Sequence, residues 1–224
     1  MKRTRLSDRS LPDYTRGEEI FNMVSHIVGG GIGIATTVLC VIVAVLHNNI
    51  YGVVSGAIFG GTMILLYTMS SLYHGLPADK TAKKVFQVFD HCSIFLLIAG
   101  SYTPIALSSM REYSPALGWT VFGVIWAVAL VGITANAIDL KKYARFSMIC
   151  YLGMGWCIFF TFGKMIKIFE PGGLVLLIAG GVAYTAGAVL YGIGKKRRYM
   201  HSLFHCFVLA GSVLHVLFVL FYIM

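Results

Sequence analysis

The sequence has little charge. Only 12% of its 224 residues are charged, about half the share of an ordinary soluble domain. Acids are scarcest, 9 against 18 basic residues. No polar stretch is long enough for a soluble domain, and the longest, the first nineteen residues, mixes Arg and Lys with acids. There is also no basis for a disulfide framework. The five cysteines (Cys40, Cys92, Cys150, Cys157 and Cys206) are odd in number and all lie in apolar runs, where they read as small packing residues. Cys92 and Cys206, close to candidate site residues, are kept as alternates. Gly29, Gly30, Gly31 and Gly33 follow no strand, which excludes a nucleotide loop and leaves close helix approach as their role.

What is abundant is apolar. Hydrophobic residues make up 58% of the chain, and mean hydropathy is +0.79. Runs of twenty or more such residues recur, each able to cross a hydrocarbon core about 30 Å thick. The fold class expected is an all-α membrane protein, a bundle of seven transmembrane helices. The spans read as Ile20–Leu46, Gly52–Leu76, Phe86–Ser109, Ala116–Ile138, Phe146–Ile166, Gly172–Ile193 and Ser202–Met224. The first is too long for a signal-peptide core and is read as retained. Residues 1–19 form a polar cytoplasmic tail and residues 20–224 a single membrane domain.

Basic residues orient it. Lys2, Arg3, Arg5, Arg9, Arg16, Lys80, Lys83, Lys84, Lys141, Lys142, Arg145 and Lys195 to Arg198 fall on one side, 15 of the 18. Arg111, Lys164 and Lys167 fall on the other. Basic residues stay cytoplasmic, so the N-terminus is expected inside and the C-terminus outside. The net charge of +9 then suits anionic lipid headgroups at the inner face and makes no case for nucleic acid.

Polar residues inside the spans carry the chemistry. His201 and His205 stand four apart at the start of the last span, on one helical face. Ser70 and His74 repeat that spacing at the end of the second span, which Gly75 and Pro77 stop. Asp90 lies about one turn inside the third span, where a bare carboxylate costs several kcal/mol and needs a partner. Glu19, Asn22 and His26 share a face of the first span. Glu18 and Glu19 read as capping acids at the positive end of the helix dipole. Asn136 reads as an interhelical hydrogen-bonding residue.

With the expected topology these groups fall at one depth, near the cytoplasmic face. His47 lies in an outer loop, and His215 about 15 Å further along its helix, at 1.5 Å per residue. Two readings of the layer stand side by side. Three imidazoles with a water make an open zinc site that lowers the pKa of that water, with Asp90 accepting its hydrogen bond and Ser70 stabilising an oxyanion. Alternatively, the histidines are interhelical hydrogen-bond partners or interfacial residues.

The set Glu19-x-x-Asn22-x-x-Ser25-His26, Ser70-x-x-x-His74, Phe89-Asp90-His91, Ala99-Gly100-Ser101-Tyr102-Thr103-Pro104 and His201-x-x-x-His205, with Gly211 and His215, resembles the haemolysin III family. These are small bacterial seven-span proteins within the wider progestin and adipoQ receptor family. The similarity covers nearly the whole chain. It implies a multi-pass protein of the bacterial inner (plasma) membrane. It also implies zinc held by His74, His201 and His205, with Asp90 reaching it through water. Distant relatives include alkaline ceramidases with the same serine, histidine and aspartate pattern.

Three functions follow as expectations. The first is a zinc-dependent hydrolase of lipid amide or ester bonds, with Asp90 and Ser70 catalytic and membrane lipids as partners. Glu19, Asn22, His26 and His91 would support the metal ligands from behind. The second is a non-enzymatic membrane sensor or receptor with structural zinc. The third, suggested by the family name, is a haemolysin-like membrane-permeabilising protein.

Overall fold

The computed structural model describes Thr4, Leu6, residues 8–194 and residues 197–224. Lys2, Arg3, Arg5, Lys195 and Lys196 of the basic count lie outside the described residues. Among the described residues the protein is helical throughout, without strands.

The first helix, α1 (Arg16–Leu46), starts at a capping box. The Thr15 N–H donates to Glu18 Oε2 at 2.8 Å, and the Glu18 N–H donates to Thr15 Oγ1. This satisfies orphan donors at both positions. Helix α2 (Ile50–Gly75) is capped by Asn49, whose Oδ1 accepts from the Gly52 N–H at 2.7 Å. The two pack closely because small residues face each other. A Cβ on Gly29 would lie 2.5 Å from the Tyr67 ring, and one on Gly33 would lie 3.0 Å from the Ile64 backbone nitrogen. Gly31 meets nothing, so only the glycines four apart serve the approach expected of the whole cluster.

Helix α3 (Thr81–Pro104) begins a turn earlier than hydropathy indicates, which brings Lys83 inside the bundle. Pro104 has no N–H to give, and the chain continues as a π-helical segment, Ile105–Met110, then a last turn, Arg111–Tyr113. Helix α4 (Pro115–Gly155) is interrupted by extended backbone at Asp139, φ −158° and ψ 94°. Here the chain doubles back. Ser147 Oγ donates to Asn136 Oδ1 at 2.6 Å, although eleven residues of straight helix span about 16 Å. The limb after the break does not run to its end as α-helix. It passes through a 3-10 segment, Cys157–Thr161, before α5 (Phe162–Ile168). Helices α6 (Pro171–Gly194) and α7 (Met200–Tyr222) complete the bundle.

Six stretches among the described residues, rather than seven, are long and apolar enough to cross a membrane. The fourth, Pro115–Ile168, is 54 residues long and contains both the expected fourth and fifth spans. Large apolar side chains on the outer faces stay exposed, Ile20, Val24, Ile27 and Val28 along α1 among them, as surface that meets lipid must. The inner core is built on Phe59, Met63, Tyr67, Phe95 and Phe218.

Side-chain bonds fix which elements share an end. At one end the Tyr199 N–H donates to Glu18 Oε1 at 2.6 Å, and the Thr4 N–H donates to Asp139 Oδ2 at 2.8 Å. At the other, His47 Nδ1 is 2.7 Å from the Met224 carbonyl, and Arg111 lies 3.5 Å over the Tyr51 ring. Helices α1 and α7 therefore run parallel. The α1 start, the α2 end, the Asp139 reversal and the α7 start gather at one end of the bundle.

Candidate metal centre

His74 occupies the last turn of α2, and His201 and His205 the first two turns of α7. Their candidate ligand atoms all lie within 4.8 Å of one another, and all three residues are buried. His201 Nε2 and His205 Nε2 are 3.1 Å apart. Two nitrogens bound at 2.0–2.1 Å to a tetrahedral ion sit about 3.3 Å apart, so the pair has the right bite. His74 Nε2 is buried with no protein partner. Neutral imidazole nitrogens suit zinc, and the residues fit the ion.

Behind His74 stands Glu19, one of the residues expected to support the metal ligands. Glu19 Oε2 is 2.6 Å from His74 Nδ1. That contact fixes the proton on Nδ1 and leaves Nε2 free to ligate, the usual arrangement behind a metal-binding histidine. Glu19 is thus not a capping acid. Glu18 alone caps α1, and Glu19, one residue on, turns into the bundle. Its other oxygen, Oε1, accepts from Lys83 Nζ at 2.9 Å. Lys83 also donates to the carbonyls of Tyr73 at 2.9 Å and Leu76 at 2.8 Å. A lysine counted only among the basic residues of one side is therefore a buried clamp on the end of α2. The clue available was its place two residues after Thr81, a possible helix start.

Aromatic rings close the cluster. Tyr14, from the tail, stacks on His201 with centroids 4.8 Å apart and planes 14° apart. Burial first, then the nearby acidic groups Tyr191, Glu19 and Asp90, raise its pKa, so it stays a neutral phenol. No sequence signal marked it. Tyr73 packs on His74 at 4.6 Å, and Tyr191 on His201 at 5.7 Å. On the opposite side His26 stacks on His205 at 3.8 Å. Asn22, one turn earlier on the same face, is fully buried.

The remaining candidates divide. Ser70 is buried one turn before His74. The Asp90 carboxylate makes no hydrogen bond or ion pair to the three histidines among the described residues. Its nearest charged partner is His91 Nδ1 at 3.6 Å. His91 faces its own helix, with Nδ1 2.8 Å from the Gln87 carbonyl. Its backbone carbonyl accepts from the Tyr151 hydroxyl at 2.7 Å. Asn136 joins α3 and both limbs of α4 through the His91 carbonyl, Tyr151 and Ser147. His215 lies 3.2 Å from the Leu177 carbonyl, away from the cluster, and His47 is at the far end. The cysteines are all free.

These features define an all-helical membrane protein with a buried three-histidine cluster at one end of its bundle. The chain belongs to the haemolysin III family, whose description, "Haemolysin-III related", matches residues 14–216. It is 35% identical to Hemolysin-3 of Bacillus cereus over 207 residues, covering 92% of each chain. Similarity extends to the human Monocyte to macrophage differentiation factor, 25% identical over 76% of this chain and 71% of that one. It reaches the Adiponectin receptor protein of Drosophila melanogaster, 25% identical over 73% of this chain and 41% of that one.

Proposed function

We propose that this protein is a zinc-dependent hydrolase of lipid amide or ester bonds in the bacterial plasma membrane. The observation that carries the reading is the convergence of three buried imidazoles within 4.8 Å, with Glu19 already setting the tautomer of one. His74, His201 and His205 would hold zinc. When bound, the ion polarises an acyl carbonyl and lowers the pKa of a water beside it. Glu19 holds the proton on His74 Nδ1. Asp90 accepts the proton of the attacking water and returns it to the leaving amine or alkoxide. Ser70 donates to the developing oxyanion, and Tyr14 excludes water from the polar end.

The bundle would cross the membrane seven times, with the N-terminus cytoplasmic. The doubling back at Asp139 supports this count by splitting the 54-residue stretch. The parallel α1 and α7 support it too, since an odd number of crossings puts the two ends on opposite faces. The basic residues expected on the cytoplasmic side, 15 of the 18 in the sequence, support the orientation.

The second reading is a non-enzymatic sensor in which zinc clamps α2 to α7. The stack of Tyr14 on His201 favours it, because a covered site holds an ion more readily than it admits a lipid. Haemolysis is suggested by the name of the Bacillus relative, and no group in the cluster calls for it. Metal analysis of purified protein, with free fatty acid measured from ceramides and other acyl lipids, tests the main reading. About one zinc per chain and chelator-sensitive release support it. Zinc without release from any lipid class selects the sensor, and protein without zinc ends both.

A further inference from the structure

Along the inner face of α1, Glu19, Asn22 and His26 meet the cluster in turn. Glu19 is fully used, one oxygen on His74 and the other on Lys83. Asn22 and His26 are the reverse. Both are more than nine-tenths buried, and Asn22 Oδ1 and Nδ2 and His26 Nδ1 and Nε2 all lack a protein partner. Buried side-chain polar atoms nearly always have one, and four such atoms on one helical turn mark a place built for something polar.

Their position is specific. The His26 ring stacks on His205 with centroids 3.8 Å and planes 25° apart, and meets the Tyr67 ring edge-on at 4.9 Å. The Asn22 backbone lies against His205 as well. The pair thus meets the cluster at His205, about one and two turns further along α1 than Glu19, which meets it at His74. Just outside them, Phe21, Val24 and Ile27 are exposed on the lipid-facing surface of α1. A polar group held by Asn22 and His26 is therefore one helix away from lipid.

We propose that Asn22 and His26 are the ligand-recognising face of the site, holding the carbonyl or carboxylate oxygens of an acyl chain beside the histidine cluster, rather than bracing the metal ligands. The Asn22 amide supplies N–H donors, and the neutral His26 ring supplies one more. A carboxylate accepts both, and an acyl carbonyl accepts one on each lone pair. The apolar surface outside α1 accounts for the chain attached to that group. This assignment rests on the metal-hydrolase reading.

Cobalt-loaded protein in nanodiscs tests it, with visible absorption reporting the ion's surroundings and laurate as the acyl probe. Laurate is expected to perturb the wild-type spectrum. In Asn22→Asp, which keeps the shape but replaces donors with acceptors, and in His26→Phe, cobalt occupancy is expected within about twofold of wild type. Laurate affinity in both is expected to fall at least tenfold. Asn22→Ala, free of a new charge, separates lost recognition from misfolding. The assignment is overturned if laurate affinity is unchanged in these variants, if laurate leaves the wild-type spectrum unaltered, or if Asn22→Ala and His26→Phe both lose cobalt. Wild-type protein that takes up no cobalt refutes the metal reading itself, and this assignment with it.

Discussion

Lys83 shows how a single side chain can reverse its reading on folding. It is one of three lysines in a short connection, and such charges are normally solvated. In the bundle it is buried, bonded to Glu19 and to two carbonyls at the end of α2. Removing one partner of a buried ion pair costs about 3–5 kcal/mol, because the other charge is left unpaired. Lys83→Met is therefore expected to lower thermal stability markedly. With Glu19 no longer held, zinc affinity is expected to fall 10–100-fold, the usual loss when support behind a ligand is removed. Differential scanning fluorimetry and competition with a fluorescent chelator measure the two effects. The ligands themselves set the scale. Alanine at His74, His201 or His205 is expected to reduce zinc occupancy, while alanine at His47 or His215 leaves it intact. Equal zinc retention in all five variants would remove the site. The histidines were legible because i, i+4 spacing is a helical signal. The burial of Lys83 was not, because it depends on where α3 begins.

At the scale of elements, the tail ahead of α1 is a part of the site. Thr15 and Glu18 lock its junction with the helix, and Tyr14, one residue earlier, lies flat on His201. A ring stacked in this way slows the passage of an ion without contributing a ligand. Tyr14→Ala is expected to speed zinc loss to excess chelator several-fold, with equilibrium affinity changed by less than about threefold. Stopped-flow chelation beside equilibrium titration checks it, and an affinity loss as large as the rate change would make Tyr14 a structural part of the site instead. Hydropathy located the helices well, because backbone in lipid must bond to itself and apolar runs of sufficient length can do little else. It missed the breaks. The π segment after Pro104 and the 3-10 segment before Phe162 depend on local backbone bonding, and both sit in runs as apolar as their neighbours.

For the whole molecule, the opposed ends are the testable property. A reporter active only outside the cytoplasm, joined after Met224, is expected to be active, and a cytoplasm-dependent reporter at the same point silent. Because Met224 is buried and its carbonyl engages His47, a flexible linker of several residues is needed to leave that contact in place. A strong cytoplasmic signal would invert the bundle and put the histidine cluster at the outer face. The gathering of the α1 start, the α2 end and the α7 start at one end of the bundle was legible from the alternation of helices alone. Which faces turn inward was not, because it is decided by packing. Asp90, expected beside His74, pairs with its neighbour His91 at 3.6 Å, while Glu19 reaches His74 directly.

The cluster also has an order in time. Glu19, His74 and Lys83 come from the first three helices, and His201 and His205 from α7, more than half the chain later. A ribosome delivers the first group to the membrane well before the second exists. During synthesis the early residues can already pair with one another, as a half-site with a single imidazole. The pair that converts it into a chelate arrives only when α7 inserts alongside α1. Under the metal reading, capture of an ion would report that the last of these helices has docked, and a chain stalled before that point would have no way to imitate it.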